Sequence, residues 1–316
     1  VKPKHLIVIL SVVLVTMLGF LAASCGAGEG AESAGPVPTE EPENGTTSGS
    51  APATTVDERS ASETVPPPDQ EKEPQGTVTY QVWFTKGESL HVVKRTQTAT
   101  RRVGTAALEA LLEGPESFEG ESGVETAIPQ GTQLLGLEIE DAIAFVDLTS
   151  EFESGGGSLA MFLRVAQVVC TLDQFPTVKG VLFKLDGEPV DIFSGEGLIL
   201  DKPVGCGDYE EFHPVILVTS PTAGERVSNP VTVRGSANVF EANVTVRILG
   251  EEGDEIARTF TTATCGSGCR GDFSVVVKYE VDHEQPGTIV VHDDDAAGTG
   301  TPPHQVRIPV VLTPSA

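Results

Sequence analysis

Residues 26–76 are drawn almost wholly from Gly, Ala, Glu, Ser, Thr and Pro, and this decides where the chain can fold. So little apolar surface cannot offset the entropy of ordering a backbone, which makes 26–76 a disordered tether by expectation. Pro66-Pro67-Pro68 stiffens its end, and the excess of Glu extends it by self-repulsion. A coil of about fifty residues reaches on the order of 40 Å. Folded structure is therefore expected only from Thr77 onward, where apolar residues begin to alternate with polar ones.

The segment before the tether has a different character. Lys2 and Lys4 precede an apolar run from Leu6 to Ala23, followed by Ser24 and Cys25. A basic start, an apolar stretch and small residues at its end form a secretory signal. A Cys placed directly after those small residues resembles a bacterial lipobox, which implies lipid on Cys25 and removal of the preceding peptide. Residues 1–25 are thus a lipoprotein signal peptide, with an uncleaved transmembrane anchor or ordinary secretion as the alternatives. All three place the rest outside the cytoplasm. Lipid on Cys25 places it on the outer face of the bacterial cytoplasmic membrane. The formal charge of -26 opposes nucleic acid and anionic headgroups, so attachment to a membrane has to be apolar.

Residues 77–207 read as an α+β domain. Thr77–Phe84 and Leu90–Arg95 alternate as strands around a Lys86-Gly87 turn. Ala106–Leu112 has a short helical pattern, with Gly114 placed for a left-handed cap and Pro115 as its stop. Leu137–Ile139 and Ala142–Leu148 read as strands turning at Glu140-Asp141. A helix follows from Ser158, taken as its N-cap, to about Gln174, with Phe162, Val165, Ala166, Val169 and Leu172 on its apolar face. Val181–Leu185 is the next strand, ended by Asp186-Gly187. One sheet with two helices packed on one face is the expected layer. The ordered set Val82-Trp-Phe84, Ala110-Leu-Leu-Glu-Gly-Pro115, Ala127-Ile-Pro129, Ala144–Leu148, Gln167–Leu172 and Phe175–Val178 resembles the GerMN domain. That family occurs in sporulation and spore germination lipoproteins, and the resemblance implies no catalytic residues.

Residues 213–313 carry seven short β-patterned runs at regular spacing: Val215–Val218, Val231–Ser236, Asn243–Leu249, Ile256–Thr262, Phe273–Tyr279, Gly287–His292 and Val306–Leu312. This spacing predicts an all-β immunoglobulin-like sandwich. Ser220-Pro221 with Gly224, Val231–Ala237 and Gly271–Ser274 resemble the immunoglobulin-like domain of bacterial spore germination.

Four cysteines remain after Cys25: Cys170, Cys206, Cys265 and Cys269. Outside the cytoplasm disulfides are permitted. Cys265 and Cys269, at an expected hairpin tip, flank two glycines that allow a short ring; two free thiols are the alternative. Cys170 could bridge to Cys206 only if the fold brings them within range. His292-Asp293-Asp294-Asp295, with Asp282, His283 and Glu284, is rich enough in oxygen for Ca²⁺ but lacks a calcium-loop spacing, so a solvated acidic turn is the expectation and no metal is assigned. Asp147, Glu151 and Glu153 could serve a glycan hydrolase. The neighbouring Gly155-Gly156-Gly157 instead points to a mobile surface loop. Neither a nucleophile elbow nor a phosphate loop is present. The sequence reading is a non-enzymatic, lipid-anchored envelope protein without cofactor or identified small-molecule substrate. It would bind or scaffold an envelope protein or peptidoglycan, possible settings being sporulation or spore germination. A hydrolase using the Asp147 and Glu151 pair is the alternative.

Overall fold

Alternation along two neighbouring runs produces a hairpin: in the computed structural model, which describes residues 74–195, 197–294 and 303–315, β1 (Thr77–Lys86) pairs antiparallel with β2 (Ser89–Thr98). Gly87, at φ +61, occupies the first of two turn positions, where a primed turn requires a positive φ. Helix α1 (Val103–Glu113) and a one-turn α2 (Ser117–Glu121) follow. Gly114 ends α1 with φ 90 and ψ -175, an extended glycine conformation rather than the expected left-handed cap. Next come β3 (Leu134–Glu140), β4 (Ile143–Leu148), α3 (Ser158–Asp173), β5 (Gly180–Leu185) and β6 (Glu188–Pro189). Helix α3 forms the crossover that lets β4 and β5 run parallel in a sheet of order β3-β4-β5-β6. A small hairpin, β7 (Ile192–Phe193) with β8 (Leu198–Ile199), closes the domain.

Three further expectations need correction. The single sheet is divided into the β1–β2 ribbon and the β3–β6 sheet. The turn after β3 sits at Asp141-Ala142, both with positive φ, one residue later than read. Gly157, not Ser158, takes the N-cap of α3, and Ser158 is its first helical residue. The helix is also more enclosed than an amphipathic one, since every residue from Leu163 to Leu172 is buried. A helix covered all round belongs inside a domain. Val82, Phe84, Leu111, Val146, Val165 and Leu172, none more than 0% exposed, form the core around it.

The second half is a sandwich. One sheet has the order β14-β11-β9, from β9 (Ile216–Ser220), β11 (Val231–Ala237) and β14 (Gly271–Val277). The other has the order β10-β16-β15-β12-β13, from β10 (Arg226–Val227), β12 (Asn243–Leu249), β13 (Glu255–Thr262), β15 (Gln285–His292) and β16 (Gln305–Leu312). Inward residues such as Val233, Val244, Ile248, Ile289 and Leu312 meet between them. At Gly235, where β11 is irregularly paired with β9, a Cβ would stand 2.0 Å from the Leu217 carbonyl oxygen, so only glycine fits. Among the described residues no helix is long and apolar enough to cross a membrane. The signal peptide, Cys25 and nearly all of the expected tether lie outside the described residues, as does Asp295.

Candidate functional site

The two edges of the β1–β2 ribbon are treated differently. Along β1, the side chains of α3 replace a missing strand. Trp83 N–H donates to Thr171 Oγ1 (3.1 Å), and Gln167 Nε2 donates to the Trp83 carbonyl (3.1 Å). One turn further, Gln81 N–H donates to Gln174 Oε1 (2.8 Å), and Gln174 Nε2 donates back to the Gln81 carbonyl (2.7 Å). Gln167 also accepts the Ala127 N–H at 2.8 Å. Gln167 and Thr171 are both fully buried, and these bonds satisfy groups that would otherwise be costly there.

Parity then fixes the other edge. In an antiparallel ladder, opposed residues whose main chains face away from each other do so on both strands. Trp83 opposes Val92, and Thr85, bonded outward to Glu125, opposes Leu90. Val92 and Leu90 therefore turn their N–H and C=O outward from β2. No strand pairs with that edge among the described residues.

This open edge looks onto the joint between the two domains. Strand β9 carries Ile216, Leu217 and Val218, all buried, but Ile216 and Val218 face the sandwich core while Leu217 joins the core of the first domain. An unbroken apolar run is what a strand covered on both faces requires. Lys94 on β2 pairs with Glu225 (2.6 Å) and donates to Ser220 Oγ (3.2 Å). Arg270 donates to the Pro214 carbonyl at 2.8 Å and to Ser236 Oγ at 3.2 Å, tying the connecting segment to the sandwich. Between these ties a cleft of about 480 Å³ opens, with Ser89–Val92, Ile216–Val218 and Gln305–Ile308 among its lining. Burial, with Lys86 beside it, pushes the His91 imidazole below its ordinary range, so that it is neutral at neutral pH.

The connecting segment is pinned covalently. Cys170, late in α3, and Cys206, at the start of a 3₁₀ turn over Cys206–Phe212, form a disulfide with Cα atoms 4.7 Å apart. His213 follows directly: its Nε2 is 3.6 Å from Cys206 Sγ, and its ring stacks on Trp83 at 5.4 Å. Burial, reinforced by Arg270, lowers the His213 pKa to about 4. Cys170, Cys206 and His213 are the one metal-like cluster among the described residues. With both sulfurs bonded to each other, neither is the thiolate a metal needs.

The second disulfide joins Cys265 and Cys269, with Cα atoms 5.7 Å apart. Its loop is not a hairpin tip as read from sequence. It carries the chain from β13 in one sheet to β14 in the other. Ser267 N–H donates to the Val239 carbonyl (2.9 Å) and Gly268 N–H to Asn238 Oδ1 (3.2 Å), so the loop is bound to its neighbours.

Two of the carboxylates considered for catalysis, Asp147 and Glu151, make hydrogen bonds of their own. Asp147 Oδ1 accepts the Gly187 N–H at 3.0 Å. Glu151 is exposed, and a hydrogen bond from the Thr149 side chain holds its carboxyl below the usual range, opposite to what a general acid needs. The start of the glycine loop beside them is tied down by Arg164. This guanidinium, 2% exposed, donates to the carbonyls of Phe152 (2.6 Å), Ser154 (3.2 Å), Gly155 (3.1 Å) and Ala127 (3.1 Å). The acidic run after β15 is similarly spent: Asp293 Oδ2 lies 2.9 Å from His304 Nδ1, and Asp294 accepts from Thr245 Oγ1 at 3.0 Å. Asp282 pairs with His283, and Glu284 with Arg226.

Comparison with known proteins follows the same two halves. Residues 65–191 match the family model Germane, described as sporulation and spore germination. Residues 215–299 match Gmad2, the immunoglobulin-like domain of bacterial spore germination. Among solved structures, the first GerMN domain of the sporulation protein GerM from Bacillus subtilis is 22% identical, with 42% of this chain covering 99% of that one at a TM-score of 0.35. The tandem GerMN domains of the same protein are 13% identical over 75% of this chain and 61% of theirs, at a TM-score of 0.38. A candidate lipoprotein from Clostridium perfringens is 19% identical over 45% of this chain and 97% of its own, at a TM-score of 0.32. No curated protein matches the chain.

Proposed function

The chain carries a sporulation and spore germination domain followed by an immunoglobulin-like domain of bacterial spore germination, and from this premise we propose that it is a non-enzymatic envelope lipoprotein that holds a cell-envelope partner. The observation that carries the reading is the joint: the two domains share a core through Leu217, next to the β2 edge that no strand pairs among the described residues. Such a surface suits binding, whereas the candidate acids are engaged in hydrogen bonds that serve the fold. In this reading the lipid on Cys25 anchors the chain outside the membrane and the residues up to 76 give it reach. An oxidising compartment keeps Cys170–Cys206 and Cys265–Cys269 closed.

Crosslinking in intact envelopes followed by recovery of the chain tests the proposal. A defined protein or wall fragment is the expected product, and recovery of none overturns it. Labelling with a fatty-acid analogue should mark the chain and fail on Cys25→Ala; a variant that still labels removes the anchor. A peptidoglycan zymogram should stay blank, and lysis abolished by Glu151→Gln would replace this reading with a hydrolase.

A further inference from the structure

Strand β13 closes the five-stranded sheet of the sandwich, and the ladder fixes which of its main-chain groups point away from that sheet. Asp293 N–H donates to the His304 carbonyl at 3.2 Å, in register with β15 and β16, so Val291 and Ile289 bond towards β16. His292 and Val290 then bond towards Thr245 and Arg247 of β12, which leaves Val244 and Val246 to bond Thr261 and Thr259 of β13. The Ala263 N–H, donating to the Ala242 carbonyl at 2.8 Å, has the same parity. Arg258, Phe260 and Thr262 therefore turn their N–H and C=O outward. All three residues are exposed, Phe260 at 73%, and no strand pairs with this edge among the described residues.

We propose that β13 is a self-association surface, along which two copies of the chain pair antiparallel about a two-fold axis at Phe260. The five-stranded sheets of the two copies then form one continuous sheet. This inference goes beyond the envelope partner and does not depend on it.

Self-complementarity carries the choice of occupant. With the axis at Phe260, this residue opposes Phe260 of the second copy, and Arg258 opposes Thr262. Outward groups then meet outward groups at every position, and the antiparallel pattern satisfies all of them. The two Phe260 rings, both on the outer face of the sheet, become direct cross-strand neighbours, an arrangement that aromatic side chains favour. An axis at Arg258 would instead oppose two like charges.

Charge selects this edge over others. Copies of a chain with a formal charge of -26 repel one another, yet Ile256 to Gly271 contains no Asp or Glu. Arg258, the one charge in the pairing stretch, is held by Glu255 at 3.0 Å, back along its own strand. Edge strand β3 also exposes apolar side chains, Leu135 and Ile139, but alternates them with Glu138 and Glu140, which a second copy would meet with carboxylates of its own. Natural edges are blunted by Lys, Pro or extreme shortness, and β13 has eight residues with neither Lys nor Pro.

Sedimentation of the full chain in detergent tests the proposal. A dimer is expected, and Phe260→Lys, which sets two like charges against each other on the axis, should weaken it at least tenfold with the melting temperature unchanged. Oxidative crosslinking tests the register, on a Cys25→Ala background so that only the new thiol is free. Phe260→Cys should give a crosslinked dimer, since opposed Cα atoms lie about 5.5 Å apart. Arg258→Cys alone should not, because its two copies stand about 14 Å apart at ~3.4 Å per residue. Mixed with Thr262→Cys chains, it should. A monomeric chain, a dimer indifferent to Phe260→Lys, or crosslinking of Arg258→Cys alone as readily as in the mixture overturns the proposal.

Discussion

The outer edges of β1 and β2 belong to one two-stranded ribbon, yet one is sealed and the other is open. A helix contributes Gln167, Thr171 and Gln174 to complete β1, while the main chain of Leu90 and Val92 faces a cleft. Exposed strand edges invite association, and folds normally cover them. Sealing one with two buried side chains of a helix and that of its C-cap residue is a structural commitment. The other has no strand beside it among the described residues and lies next to the second domain.

Hydrogen exchange should show the largest contrast. Amides of Gln81 and Trp83 should exchange only on global opening, and those of Leu90 and Val92, buried but without a strand partner, through smaller local openings. Equal protection on the two edges would abolish the distinction. Next in size, β2 depends on side chains for what its edge lacks. Arg95 on β2 makes two hydrogen bonds, of 2.7 and 2.6 Å, to Glu119, whose side chain is 5% exposed. Glu119→Ala should cost about 3–5 kcal/mol in urea unfolding, because it leaves a half-buried guanidinium without its carboxylate. A cost below 1 kcal/mol would mean that the pair does not hold β2. Gln167→Leu leaves the Trp83 carbonyl and the Ala127 N–H unpaired, and a loss of about 2–3 kcal/mol is expected in the same assay. Unchanged stability in that variant would mean that Gln167 does not seal β1.

The last effect concerns pH. The folded pKa of His213, about 4, lies below its ordinary value of 6.5, so the unfolded chain binds more protons in between. This site's stabilising contribution is complete above about pH 6.5 and declines as pH falls towards 4. Melting temperature should drop by several degrees across that window, and His213→Phe should flatten the drop. An unchanged slope in the variant would assign the acid sensitivity to other groups.

Much of this fold was readable from residue patterns. The strand Asn243–Leu249 has the predicted bounds, and most others differ by one or two residues, because half-buried strands write a period of two into the chain. Helix α2 left no such trace, being one turn with Phe118 48% exposed. The divided sheet was also invisible, since strand patterns do not say which strands pair. The sealed edge did leave a signal. Gln167, Thr171 and Gln174 recur every three to four residues in an apolar helix, a polar stripe hidden beneath the apolar repeat. The double burial of β9 was likewise legible in Val215-Ile-Leu-Val218. Arg164 was not, because its partners are carbonyls, which every residue has.

The Cys170–Cys206 link spans 36 positions and encloses β5 to β8, including the β7–β8 hairpin with Ile192 and Ile199 each 64% exposed. A protease that cuts the chain at that hairpin therefore does not divide the protein. Both pieces travel as one molecule until a reductant reaches the bridge, and on a denaturing gel the nick would be visible only after thiol treatment. Loss of the terminal sandwich by proteolysis thus needs a cut beyond Cys206, in the short stretch where Arg270 and His213 already hold the backbone down.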